Sequence, residues 1–135
     1  MIFHQPWMSG KKIMAEWGER THPITGKKFM HHGVDVATGY GQIVAPRDGV
    51  VVAKENWPKG KGIVLVLRHD NNIHTFYHHL YKEPRFEIGE FVKTGQPIAR
   101  SGNTGRTTGA HLHFEVREGI DSESSLNPLD YIVLR

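Results

Sequence analysis

Between Gly62 and Leu80 the chain runs Ile63-Val64-Leu65-Val66-Leu67-Arg68, reverses through Asp70-Asn71-Asn72, and resumes as Ile73-His74-Thr75-Phe76-Tyr77-His78-His79-Leu80. Two β-branched and aromatic runs around residues that tolerate positive φ predict an antiparallel hairpin. From Gln42 onward the same grammar recurs. Strands are expected at Ile43–Ala45, Val50–Lys54, Ile63–Arg68, Ile73–Leu80, Phe91–Val92, Pro97–Ser101 and Leu112–Val116. Arg47-Asp48-Gly49 and Thr94-Gly95-Gln96 supply further reversals. The fold class that follows is mainly β, a compact antiparallel sheet or sandwich of short strands.

Helix signals are weak. Ile13, Met14 and Trp17 can form an apolar stripe over Lys11–Glu19, but Gly18 and Thr21-His22-Pro23 fit an extended arm across the core equally well. With 135 residues, one domain over residues 1–135 is expected, with about 1–30 as an N-terminal extension and about 31–135 as the core. Cysteine is absent, so the fold rests on its core and on any metal it binds, and thiols say nothing of the compartment. Met1-Ile2-Phe3-His4-Gln5-Pro6 lacks a basic segment followed by a long apolar run, so no signal peptide is expected, and no stretch is apolar enough to span a bilayer. A net charge of +3 favours approach to anionic surfaces, but the basic residues are scattered and no nucleic-acid motif accompanies them. Nucleic acid and membrane insertion are therefore not expected, and a monomer is.

Two histidine-bearing strings carry the chemistry. In an extended His111-Leu112-His113-Phe114-Glu115-Val116 the two imidazoles share one face while Leu112 and Phe114 take the other. Upstream, His31-His32-Gly33-Val34-Asp35 adds nitrogen and a hard oxygen. Three ligands of this kind suit one Zn²⁺ and leave a fourth tetrahedral position for water, as catalytic zinc requires.

These strings do not stand alone. Together with Val44-Ala45-Pro46-Arg47-Asp48-Gly49-Val50-Val51, Tyr77-His78-His79-Leu80, Gly102-Asn103-Thr104-Gly105 and the lead-in Arg20-Thr21-His22-Pro23-Ile24-Thr25-Gly26, they resemble, in order and spacing from about Trp17 to Leu129, the lysostaphin/LytM zinc endopeptidases. The resemblance implies a hybrid-motif core of the biotinyl/lipoyl kind. It implies one zinc ion held by His31, Asp35 and His113, with His111 and His79 as catalytic histidines beside it. It also implies a substrate among the peptide cross-links or stem peptides of bacterial peptidoglycan. Such a protein acts at the cell wall, extracellular, periplasmic or phage-delivered.

Strand alternation lets only one of His78 and His79 face the cleft, and the motif selects His79. Tyr77 then shares its face and is a candidate substrate contact, as are Trp57, on an exposed loop with Pro58-Lys59-Gly60-Lys61, and Thr107. His32 is set aside because the four-residue spacing starts at His31. His69 and His74 are expected to be exposed beside their turn, His22 in the lead-in, and His4 in a disordered terminus. Three rivals remain: a non-catalytic wall-binding or regulatory module, a biotinyl/lipoyl-type carrier, and a zinc carboxypeptidase. The carrier needs a lysine at a hairpin tip, where Arg47-Asp48-Gly49 stands here.

Overall fold

Asn71 and Asn72 both adopt φ of 60°, so the reversal falls where two asparagines permit it. The computed structural model describes residues 3–4 and 11–133. Most of the Met1–Pro6 segment read for a leader lies outside them. The hairpin pairs β8 (Gly62–Arg68) with β9 (Ile73–Leu80) at the centre of an antiparallel sheet. Around it stand β10 (Phe91–Val92) and β7 (Gly49–Trp57) on one side. On the other stand β12 (Leu112–Glu118), β5 (Val34–Val36) and β2 (Ile13–Ala15), with β13 (Ser125–Leu126) against β12. Beside this sheet lie the pairs β6 (Gln42–Val44) with β11 (Pro97–Arg100), and β3 (Gly18–Thr21) with β4 (Lys28–His31).

Alternation sorts the faces. Leu65 and Leu67 of β8, Tyr77 of β9, Leu112, Phe114 and Val116 of β12, and Val34 and Val36 of β5 are all fully buried in one core, joined by Ile43 of β6 and Ile98 of β11. Side chains of this size contribute about 1.5–3 kcal/mol each on burial, so this face dominates stability. The opposite face of β12 carries His113, Glu115 and Arg117, and the opposite face of β8 and β9 carries a second cluster, Val64, Val66 and Phe76. The chemistry therefore sits on the back of the core-forming sheet.

Residues 13–15 and 18–21 are strands, so the apolar stripe over Lys11–Glu19 makes no helix. Gly18, at φ of 132°, opens the second. His4 lies in β1 (Phe3–His4), which pairs in parallel with β14 (Ile132–Val133), and Phe3 is fully buried. His69 and His74 are buried, contrary to expectation. His69 bridges the Asp48 carbonyl at 2.8 Å and Thr75 Oγ1 at 2.8 Å, and Thr75 in turn meets Tyr77 Oη at 2.8 Å. His74 Nδ1 lies 3.0 Å from the Asn72 carbonyl oxygen. Both histidines are absorbed into the turn they flank.

Candidate metal centre and active-site cleft

Asp35 sits between Val34 and Val36, so burying those two valines turns its carboxylate to the back of the sheet. In the β5–β12 register it is directly opposite His113, and on the other side of β12 His113 is opposite His78. His31 closes β4, two residues before Gly33. A Cβ at Gly33 would lie 2.3 Å from the Phe114 carbonyl oxygen, so only glycine lets the chain cross β12 this closely. That crossing brings His31 and Asp35 to one place.

His31, Asp35 and His113 each offer a ligand atom, all within 4.8 Å of one another. His31 Nε2 is 3.4 Å from Asp35 Oδ2, and His113 Nδ1 is 2.7 Å from Asp35 Oδ1. The ring orientations suit a cation. His31 Nδ1 lies 2.8 Å from the Glu16 carbonyl, which must receive a proton, leaving the Nε2 lone pair for a ligand. His113 Nε2 donates to Glu115 Oε2 at 2.7 Å, leaving Nδ1 for the same centre. Two imidazoles, each backed by a hydrogen-bond partner, and a carboxylate fit a divalent zinc-type ion.

Burial pushes the Asp35 carboxyl up, but hydrogen bonds and charge from His113 and His31 outweigh it and hold it well below the usual carboxylate range. For His113 burial works downward, yet the two flanking carboxylates raise it to about 9. Glu115 is pushed up by burial and brought down to about 2 by His113, His78 and Arg117. Arg117 holds Glu115 Oε1 through Nε at 2.7 Å and Nη2 at 2.6 Å, donates through Nη1 to the Ile120 carbonyl, and lies 3.9 Å over the Phe76 ring. Sequence reasoning gave Glu115 and Arg117 no role. Their signal was present as alternation: they share the His113 face of β12.

His111 and His79 stand beside this centre with ring centroids 4.9 Å apart. His111 Nδ1 lies 2.9 Å from the Gly109 carbonyl and His79 Nδ1 lies 2.8 Å from the Thr104 carbonyl, so the neutral form of each ring bears its lone pair on Nε2. His111 Nε2 is 3.8 Å from Asp35 Oδ1. Burial, with help from His111 and His113, lowers the His79 pKa against the opposing Thr104 bond. A neutral imidazole results at neutral pH.

The expectation that only one of His78 and His79 faces the cleft does not hold. Both line it, because the three residues Ile63–Leu65 of β8 oppose the four residues Tyr77–Leu80 of β9, and His79 takes φ of 64°. The bulge re-aims His79 and leaves His78 on the His113 face, ring centroids 4.6 Å apart. Burial holds the His78 pKa well below its ordinary value. Its Nε2 is buried, has no hydrogen-bond partner among the described residues, and lies 3.7 Å from Glu115 Oε2.

Tyr77 does not line the cleft either. It is fully buried against Phe114 at 5.4 Å and its hydroxyl is spent on Thr75. Thr107 does reach the cleft, and its hydroxyl donates to the Gly109 carbonyl at 2.7 Å, beside His111 Nδ1 at 3.0 Å. Trp57, 51% exposed, lines an adjoining hollow that shares only Gly60 and Lys61 with the cleft. His22 caps its own turn, accepting from the Ile24 and Thr25 amides at 3.2 Å each. His32 meets Ser125 Oγ at 3.0 Å.

Fold and site together define the class, a mainly β domain with a candidate metal centre of two histidines and an aspartate. The sequence pattern of Peptidase family M23 matches residues 29–128, and the chain belongs to that family. It is 43% identical over 99 residues to the peptidoglycan DD-endopeptidase ShyB of Vibrio cholerae, covering 73% of this chain and 23% of that protein. A zinc-containing peptidase from Vibrio cholerae superposes with a TM-score of 0.81 at 35% identity, over 94% of this chain and 39% of that one. The catalytic domain of lysostaphin from Staphylococcus simulans gives 0.80 at 29% identity, over 93% and 94%. The chain spans about 20% to 30% of the length of curated relatives it matches.

Proposed function

We propose that this chain is a zinc-dependent endopeptidase that hydrolyses peptide cross-links or stem peptides of bacterial peptidoglycan, acting at the cell wall. The observation that carries the reading is the convergence of His31 Nε2, Asp35 and His113 Nδ1 beside two imidazoles whose Nδ1 atoms are held by backbone carbonyls. Zinc bound by that trio supplies a Lewis acid that polarises the scissile carbonyl and lowers the pKa of water toward neutrality.

The chain's own residues do the rest. His111 and His79 both present proton-accepting Nε2 atoms, so either can take the proton of the attacking water. The ring that takes it becomes the donor for the leaving amine, and its new N–H can also steady the developing oxyanion. Asp35 sets the charge of the centre, and Glu115 fixes the His113 ring through its Nε2–H. The test is digestion of purified sacculi by the protein and by His111→Ala, with mass analysis of the soluble peptides. Zinc-dependent release of cross-link or stem fragments, lost in the variant, is expected. Release of terminal D-alanine alone would favour a carboxypeptidase, and no zinc-dependent product from any wall would refute the reading.

A further inference from the structure

The walls of the cleft are not electrically neutral. Lys61 and Arg106 both line it, and both are exposed. They come from distant segments, yet the backbone holds them side by side. The Arg106 amide donates to the Gly60 carbonyl at 2.7 Å, the His79 amide donates to the Lys61 carbonyl at 2.8 Å, and the Ile63 amide donates to Thr104 Oγ1 at 3.0 Å. Thr104 completes the knot by donating to the Leu80 carbonyl at 2.6 Å and accepting from His79 Nδ1 at 2.8 Å. Gly105 makes the approach possible, since a Cβ there would lie 2.3 Å from the Gly60 oxygen and the Gly62 nitrogen. The two segments that carry these cations are thus the ones that hold His79 in its left-handed conformation.

Neither cation is paired. Among the described residues Lys61 and Arg106 take part in no ion pair, and Lys61 Nζ rests 5.6 Å from the centroid of the Trp57 ring. Asp35, the carboxylate that lines the cleft, is already engaged by His31 and His113. Two cations carried on neighbouring loops of one wall raise the positive potential there and favour an anion on the substrate. A carboxylate on the substrate supplies that anion through charge-assisted hydrogen bonds, which guanidinium and ammonium groups both give.

We infer that Lys61 and Arg106 form a carboxylate-reading pair that selects wall peptides bearing a free carboxylate beside the scissile amide. The inference rests on the peptidase reading and narrows it. A diaminopimelate cross-link carries such a group, whereas its amidated form and a glycine bridge do not.

The test uses two cross-linked peptides that differ only in whether the diaminopimelate carboxylate is free or amidated. Zinc-loaded wild type is expected to favour the free acid in kcat/KM by on the order of tenfold to a hundredfold, the range for a lost charged hydrogen bond. The preference should shrink at high salt. In Lys61→Gln and Arg106→Gln the ratio falls, and in the double variant it approaches one. Because both side chains are exposed, thermal unfolding of the variants should match wild type. A wild-type ratio of one, or a ratio unchanged in the double variant, overturns the pair. Binding of the same two peptides to zinc-loaded protein, followed by calorimetry, reads the pair without turnover. Carboxylate-selective binding without hydrolysis would uphold the pair and sink the peptidase reading. Hydrolysis with equal affinity and equal rate for both peptides would do the reverse.

Discussion

Replacing Glu115 by glutamine separates what holds the sheet together from what tunes the metal centre. The Glu115 and Arg117 side chains are 4% and 6% exposed, so their charges compensate each other out of water. A carboxyl held near 2 instead of 4.5 favours its charged form by roughly 3 kcal/mol at about 1.4 kcal/mol per tenfold. The raised His113 pKa reports partly the same contact, so the two shifts are counted once. Independently, removing one member of a buried pair costs about 3–5 kcal/mol, because the other charge is left uncompensated. Glutamine still accepts from one donor, which places the loss near the lower figure. In denaturant, Glu115→Gln should therefore lose about 3 kcal/mol, or roughly 10 °C in Tm. Zinc affinity, measured by competition with a chelator, should fall about tenfold to a hundredfold because His113 loses the acceptor that orients it. Glu115→Gln/Arg117→Gln removes the orphaned charge and should recover stability in part while leaving zinc affinity low. A loss under about 1 kcal/mol in the single variant, or wild-type zinc affinity in the double one, would refute this partition.

Three further outcomes are expected. His111→Ala should cut turnover by about 10²-fold to 10⁴-fold while equilibrium dialysis still finds bound zinc, whereas His113→Ala should lose both. Tyr77→Phe should cost about 1 kcal/mol of stability by breaking its bond to Thr75 and leave kcat/KM unchanged; a large KM effect would return Tyr77 to the cleft. Burial holds the His69 pKa below its ordinary value against the opposing Asp48 carbonyl. The unfolded chain then takes up a proton first as pH falls through about 6.5, and stability is lost from there down to the folded pKa. Denaturation midpoints of wild type and His69→Gln between pH 7.5 and 5 should show a smaller loss in the variant, and identical slopes would contradict the assignment.

Much of the fold was legible because it is written in period-two patterning. The strands of residues 73–80 and 91–92 fall where the sequence places them, since alternating faces and Asn71-Asn72 leave few alternatives. The strands before residue 37 were not legible for a physical reason. β3 and β4 are almost wholly exposed and carry no apolar alternation, so their pairing is set by the backbone and by the turn His22 caps. The ligand trio was legible because local spacing within each motif survives folding. Glu115 and Arg117 were legible in principle, as outward residues of β12, but nothing local marks a charged pair as buried.

The cleft is misread at the point where the sheet departs from its own rule. A regular β9 would send His79 to the Tyr77 face, into the core, and leave His78 alone beside His113. One extra residue opposite Ile63–Leu65, with His79 at φ of 64°, returns the imidazole to the functional face at a cost of order 1–3 kcal/mol for a non-glycine residue in that region. The Thr104 carbonyl on Nδ1 and the Lys61 carbonyl on the amide hold it there. The same two loops present Arg106 and Lys61 to the cleft. The contacts that sustain the bulge thus also set the charge of the wall, and a substitution that relaxed the bulge, such as Gly105→Ala, should perturb proton transfer and carboxylate selection together. Loss of turnover with the free-acid preference intact in that variant would show that the two are held separately.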